Sequence, residues 1–282
     1  PGRTSAFLIR SCLSEVFSLT TLHTLASGSS GNALLFSCGT THLLVDAGIS
    51  CRRITKSLEG LGLTPADLTA ILITHTHADH ISGLQTLLKR TDCPVCASAR
   101  TLEALRLRLP GLEQRGMTLT APVSLGNVLV TPFPTSHDAP GSCGFRLDGT
   151  GGSVGILTDT GYVTEEAAAV LPGVDLAVLE ANHDVETLCS GPYPYYLKQR
   201  ILGAEGHLSN EDAARFAVLL AEHGASEILL AHLSRENNTP AMAHQAVETA
   251  LSAAGLCPAL SVAPRDTMSA AHSVCRRAVC RK

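Results

Sequence analysis

No apolar run in this chain approaches the roughly 18 residues that a membrane-spanning helix needs, so no span is expected. There is no excess of positive charge either. The 21 Lys and Arg against 25 Asp and Glu give a formal net charge of -4, which argues against a broadly basic nucleic-acid surface and leaves room only for a local basic rim. The ten cysteines are scattered singly, apart from Cys93-Pro94-Val95-Cys96, and no second pair completes a zinc site with it. Buried thiols in a cytoplasmic protein fit that spacing better than a disulfide framework. No internal repeat is visible. What the chain does have, 45% hydrophobic and 16% charged residues over 282 positions, suffices for one large core, so a single layered domain is expected over residues 19–264. Residues 1–18 are expected to be an extension outside the fold, because Glu15 interrupts their apolar stretch. Residues 265–282, rich in Arg and Cys with little apolar periodicity, are expected to form a disordered tail.

Short apolar runs separated by polar turns predict strands over 22–26, 33–38, 42–45 and 70–73, the first two joined as a hairpin by Ser27-Gly28-Ser29-Ser30-Gly31-Asn32. Helical periodicity predicts helices over 50–61, 81–89, 100–109, 164–171, 211–223 and 240–253, with Ser50 and Ser209 or Asn210 as N-caps. Further strands are expected over 95–98, between 117 and 133, over 145–147, 153–157, 176–179 and 227–231, and near Leu260.

Thr74-His75-Thr76-His77-Ala78-Asp79-His80 stands between the apolar run Ala70-Ile71-Leu72-Ile73 and a helical stretch. Strand, loop and helix therefore bring three imidazoles and a carboxylate to a strand's C-terminal end, where open α/β sheets keep their chemistry. Such a group is costly as core, whereas divalent metals take deprotonated nitrogen and oxygen ligands of this kind. One tight loop cannot wrap all four donors around one ion, which predicts two adjacent half-sites completed from other strand ends. His137, Asp159 and His232 each follow a predicted strand. The coherent set is His75, His77 and His137 around one ion, Asp79, His80 and His232 around the other, and Asp159 bridging. Two cations so placed would share and ionise a water.

The HxHxDH loop followed by His, Asp and His is similar to the motif set of the metallo-β-lactamase superfamily. Leu25 to Ala33, Asp46-Ala47-Gly48-Ile49-Ser50, Leu179 to Asp184 and Gly206-His207-Leu208-Ser209-Asn210 resemble its YycJ/WalJ branch. The resemblance implies an α/β, four-layer αββα sandwich with two divalent ions, Zn or Mn, between the sheets. It also implies a phosphodiesterase, a 5′ to 3′ exonuclease acting on DNA through a metal-bridging hydroxide. By similarity to the ribonuclease Z group, Glu180 and His207 form a pair in which the imidazole protonates the leaving oxygen. Asp79, Glu180 and His207 are thus the candidate catalytic side chains. Ser27, Ser29, Asn32, Asn182, Lys198 and Arg200 are candidate substrate contacts, the last two in a cluster with Tyr193, Tyr195 and Tyr196. Asp46 is expected to orient a ligand His. Only about seventy residues separate Asp159 from His232, too few for the extra domain of the β-CASP nucleases. The same ligands occur in glyoxalase II-like thioesterases, the alternative reading, against which the Glu180/His207 pair weighs.

Overall fold

The structure, a computed structural model, describes residues 20–275; the expectation for residues 1–18 lies outside them. Six strands, β1 (Thr20–Ala26), β2 (Ala33–Cys38), β3 (Thr41–Val45), β4 (Ala70–Leu72), β5 (Val95–Ala97) and β6 (Gly116–Thr118), build most of one sheet. A second sheet holds β7 (Val123–Leu125), β8 (Val128–Pro134), β9 (Cys143–Asp148), β10 (Ser153–Leu157), β11 (Leu176–Glu180), β12 (Glu227–Ala231) and β13 (Ala259–Val262). The chain then returns to the first sheet as β14 (His272–Val274), antiparallel to β1. The strand orders are β14-β1-β2-β3-β4-β5-β6 and β13-β12-β11-β10-β9-β8-β7. In each, antiparallel pairing on one side gives way to parallel pairing on the other.

Side-chain alternation along these strands makes three apolar layers. Leu34, Phe36, Leu43, Val45 and Leu72 of one sheet meet Phe145, Leu147, Val154, Ile156, Val178 and Leu229 of the other. Their neighbours Leu35, Leu44 and Ile71 turn outward to α1 (Cys51–Gly60), α2 (Ala78–Ile81), α3 (Leu84–Leu87) and α4 (Ala99–Arg106). Leu157, Leu179, Ile228 and Leu230 likewise face α5 (Glu165–Val170) and the longer helices that follow α6 (Val185–Ser190) and α7 (Tyr195–Leu202), namely α8 (Asn210–Glu222) and α9 (Pro240–Ala253). This is the αββα sandwich. Phe36 and Phe145 are fully buried between the sheets, a burial worth roughly 1.5–3 kcal/mol for each such side chain.

Two expectations need correction. The helix expected over 81–89 is two short pieces, α2 and α3, because Gly83 sits against the backbone: its N–H donates to Ala47 O, and a Cβ there would lie 2.0 Å from Ile49 O. The domain does not stop at residue 264, since β14 pairs with β1 and buries Val274 in the inter-sheet core. Sequence periodicity is silent there because the strand is only three residues long. Ser50 and Ser209 are N-caps as expected, accepting from Arg53 N and Asp212 N. The eight cysteines among the described residues are free, and burial pushes the Cys96 thiol up to about 12, which leaves Cys93 and Cys96 as core residues.

Candidate metal centre

The site lies where strands of both sheets end. Asp46 follows β3, Thr74 to His80 follow β4, His137 follows β8, Asp159 follows β10, Glu180 closes β11 and His232 follows β12. Asp46, Asp159 and His232 have φ of 61°, 58° and 55° and are the non-glycine residues with positive φ among those described. That conformation costs on the order of 1–3 kcal/mol, least for Asp and Asn, and its concentration at these three strand exits shows the surroundings overriding backbone preference in one place.

Backbone hydrogen bonds lace the exits together. Asn32 N donates to Asp79 O, Ala47 N to His80 O and Gly48 N to Asn32 O, each at 2.8 Å. Gly48 has no room for a side chain, because a Cβ would lie 1.6 Å from Asp79 O. Gly48→Ala is therefore expected to lower stability by at least the ~1–3 kcal/mol usual for overpacking, and an unchanged denaturation midpoint would contradict this packing.

Hydrogen-bond partners assign the imidazole tautomers. The Asp46 carboxylate accepts from Thr74 N (2.9 Å), Thr74 Oγ1 (2.8 Å) and His80 Nδ1 (2.7 Å). Having donated its one proton to Asp46, Thr74 Oγ1 can only accept from His75 Nδ1, 3.0 Å away. His137 Nδ1 donates to Gly206 O at 3.0 Å and His232 Nδ1 to Glu180 Oε1 at 2.9 Å. So His75, His80, His137 and His232 all present Nε2. His77 is turned the other way: its Nε2 lies 3.4 Å from Asp138 Oδ1, and its Nδ1 is 3.2 Å from His137 Nε2.

These atoms fit divalent ions. Ligand atoms of His75, His77 and His137 lie within 4.8 Å of one another, as do those of Asp79, His80 and His232. Asp159 groups with His75 and His80, and also with Glu180, His207 and His232. The 3.2 Å between His77 Nδ1 and His137 Nε2, a hydrogen-bond distance when His77 carries its proton on Nδ1, also suits two ligands of one ion, since two nitrogens at ~2.0–2.1 Å from one tetrahedral ion are about 3.3 Å apart. Buried His75 Nε2 and Asp159 Oδ2 have no hydrogen-bond partner, although Asp159 Oδ2 is 3.3 Å from His80 Nε2.

Electrostatics divides the imidazoles. Burial, reinforced by the neighbouring His80, pushes His75 well below the usual imidazole range, and burial with His137 lowers His77. Burial also opposes charge on His80 and His232, but Asp159 and Asp46 raise His80 well above that range, and Asp159 with Asp79 and Glu180 lifts His232 to about 10. Against burial, the surrounding imidazoles hold the Asp159 and Asp79 carboxyls well below the carboxylate range.

Glu180 is fully buried and shared. Its Oε1 accepts from His207 Nδ1 at 2.8 Å as well as from His232, and its Oε2 accepts from Thr160 N and Leu208 N. Against burial, the charge of His207 brings Glu180 down to about 2. Glu180 and His207 are thus brought together as expected, with the half-buried His207 at the edge of the cluster. The sequence reading saw the pair but not that the same carboxylate also fixes His232.

The expected substrate contacts are mostly engaged with protein. Ser27 Oγ accepts from His232 N and Asn182 Nδ2 donates to His232 O, both buried, so these two side chains fasten the backbone of His232. Asn32 Nδ2 reaches Asp79 O and His80 Nε2. Lys198 Nζ donates to Cys189 O and Gly191 O at 2.7 Å each, tying α7 to the end of α6. Arg200 Nε pairs with Asp138 Oδ2 at 2.5 Å. Ser29 is exposed, as are Tyr195 and Tyr196. Asp138 is the site residue that sequence reading missed; its signal was its place directly after His137.

A fold of this kind around this cluster defines a metal-dependent hydrolase, and the chain belongs to the β-lactamase superfamily, whose domain model, the beta-lactamase superfamily domain, matches residues 41–233. Within it the chain is similar to exodeoxyribonuclease WalJ of Streptococcus pneumoniae serotype 2, at 38% identity over 237 residues, covering 82% of this chain and 88% of that protein. It is also similar to exodeoxyribonuclease YycJ of Bacillus anthracis, at 36% identity over 234 residues, covering 82% and 89%. The metallo-beta-lactamase fold protein YhfI from Bacillus subtilis shares the fold, with a TM-score of 0.69 at 19% identity over 89% of this chain and 99% of that one. The superfamily and branch resemblances read from the motifs are borne out.

Proposed function

We propose that this protein is a 5′ to 3′ exonuclease that hydrolyses DNA phosphodiesters with two divalent ions, Zn or Mn. The observation that carries the reading is the Glu180–His207 pair at the edge of the His/Asp cluster: an imidazole whose Nδ1 is held by a buried carboxylate keeps Nε2 for a proton to give. A phosphodiester needs that proton at its leaving 3′ oxygen, whereas a thiolate leaves without one. The names of the two exodeoxyribonuclease relatives support DNA as the substrate. Bound ions would supply a nucleophile from water near neutral pH and charge stabilisation at phosphorus.

This chain's own residues would do the rest. His75, His77 and His137 would hold one ion, Asp79, His80 and His232 the other, and Asp159 both; Asp46 and Glu180 fix the ring planes of His80 and His232. Among the described residues no helix is long and apolar enough to cross a membrane, and eight free thiols suit a reducing cytoplasm. Incubation with 5′-phosphorylated duplex DNA and Mn or Zn should release nucleotides, while a glutathione thioester should be cleaved poorly; the reverse preference would replace the nuclease reading with the thioesterase one.

Metal loading should also release protons. With its folded value raised to about 10 by Asp159, Asp79 and Glu180, His232 is protonated at pH 7 in the metal-free protein, so an ion must displace its proton. His75 and His77, both lowered, are neutral there and release none. Apparent affinity should therefore rise with pH through the neutral range. Calorimetry in buffers of differing ionisation heat should report release of about one proton or more per protein, and uptake without proton release would refute the assignment.

A further inference from the structure

The proposed centre leaves one imidazole oriented by no buried partner of its own. His75, His80, His137 and His232 are each fixed through Nδ1 by Thr74, Asp46, Gly206 O and Glu180. His77 presents Nδ1, and its side chain is about one-third exposed. The acceptor facing its outer nitrogen is Asp138, whose Oδ1 lies 3.4 Å from His77 Nε2 and whose Oδ2 pairs with Arg200 Nε at 2.5 Å. Asp138 is itself set by the loop before His207, its N–H donating to Glu205 O at 3.2 Å.

We propose that Asp138 is a positioning residue that holds His77 in its ligating orientation, and that Arg200 clamps Asp138 while offering its other face to a substrate phosphate. Arg200 has five N–H donors in a planar fork. Nε is taken by Asp138, and among the described residues the guanidinium makes no other ion pair or hydrogen bond, while its side chain is 56% exposed. A planar fork can bind a carboxylate along one edge and a phosphate along another. One cation on α7 thus links a contact of the substrate backbone to the geometry of one ligand of the centre. A lysine cannot replace it, because a single ammonium lacks the second edge.

The inference rests on the reading of His77 as a ligand, so the test begins with His77→Ala, which should remove about one ion. Asp138→Ala should then lower affinity for one of the two ions by roughly 10- to 100-fold, as loss of a partner that orients a ligand does, read by chelator competition. It should alter the visible absorption of Co²⁺ at that site alone, with the metal-free melting temperature at the wild-type value. Arg200→Ala should weaken the same ion less, and the double variant should lose no more than Asp138→Ala, since the two act as one unit. Arg200→Lys should restore neither metal affinity nor DNA binding. Wild-type affinity at both sites in Asp138→Ala, with His77→Ala deficient, overturns the positioning role. Weakened DNA binding in Arg200→Ala with wild-type metal affinity overturns the clamp. If His77→Ala keeps both ions, the ligand assignment falls.

Discussion

Asp159→Ala should strip the protein of most of its divalent metal and slow hydrolysis by on the order of 10³-fold. Asp159 is the carboxylate placed among both half-sites: its Oδ1 lies 3.7 Å from His137 Nε2 and 3.6 Å from His232 Nδ1, and its Oδ2 lies 3.3 Å from His80 Nε2. It is buried, its backbone is left-handed at φ 58°, and its Oδ2 has no hydrogen-bond partner. A group so placed is under-satisfied by protein alone and completed by cations. Its removal takes a ligand from each ion and the charge that lets two cations share one site, so several kcal/mol of transition-state stabilisation should go with it, on the order of 10³ in rate. Asp159→Asn keeps the shape and loses the charge, and should fall close behind. Elemental analysis of purified variants with DNA hydrolysis alongside decides the matter: two ions and full activity in Asp159→Ala would remove the bridging assignment.

His207→Ala should separate proton delivery from metal binding. His207 lies at the edge of the cluster, bonded through Nδ1 to Glu180, and in the proposed set it ligates neither ion. Metal content should stay near wild type while the rate on DNA falls by roughly 10² to 10⁴, the usual worth of a positioned acid. A nitrophenyl phosphodiester, whose leaving group needs no proton, should recover most of that loss. Glu180→Gln behaves differently from what the pair alone suggests. Because Glu180 Oε1 also accepts from His232 Nδ1, the amide should loosen a ligand as well as an acid, so metal affinity should fall together with rate and the activated substrate should rescue it only in part. Equal losses on activated and natural substrates in His207→Ala would mean that this imidazole positions phosphate or supports the fold.

The local sequence carried a great deal. The short apolar runs of Ala33–Cys38 and Ser153–Leu157, and the caps Ser50 and Ser209, are properties of a few consecutive residues. So is the crowding of His75, His77, Asp79 and His80 after a four-residue apolar run. A divalent site could be read from that loop because nothing else justifies the cost of gathering those side chains. His137, Asp159 and His232 could be proposed as further ligands for the same local reason, and each does stand at the exit of a strand.

What the sequence could not hold is the pairing of groups far apart along the chain. β14 is three residues long and exists because β1 offers it an edge. Ser27 and Asn182, polar residues that look available for substrate, spend their hydrogen bonds on the backbone of His232, which is 205 and 50 positions away. Glu180 serves two imidazoles at once, and Asp138 stands between His77 and Arg200. The sequence by itself determined which donors are present and that each lies at a strand end, because hydrophobic period and ligand chemistry are written in adjacent residues. Only the tertiary structure decided which nitrogen each imidazole presents and which polar side chains are already used, because a hydrogen bond is satisfied by geometry, and the fold brings its partners together from distant parts of the chain, within one sheet for Glu180 and His232 and across the two sheets for Ser27 and His232.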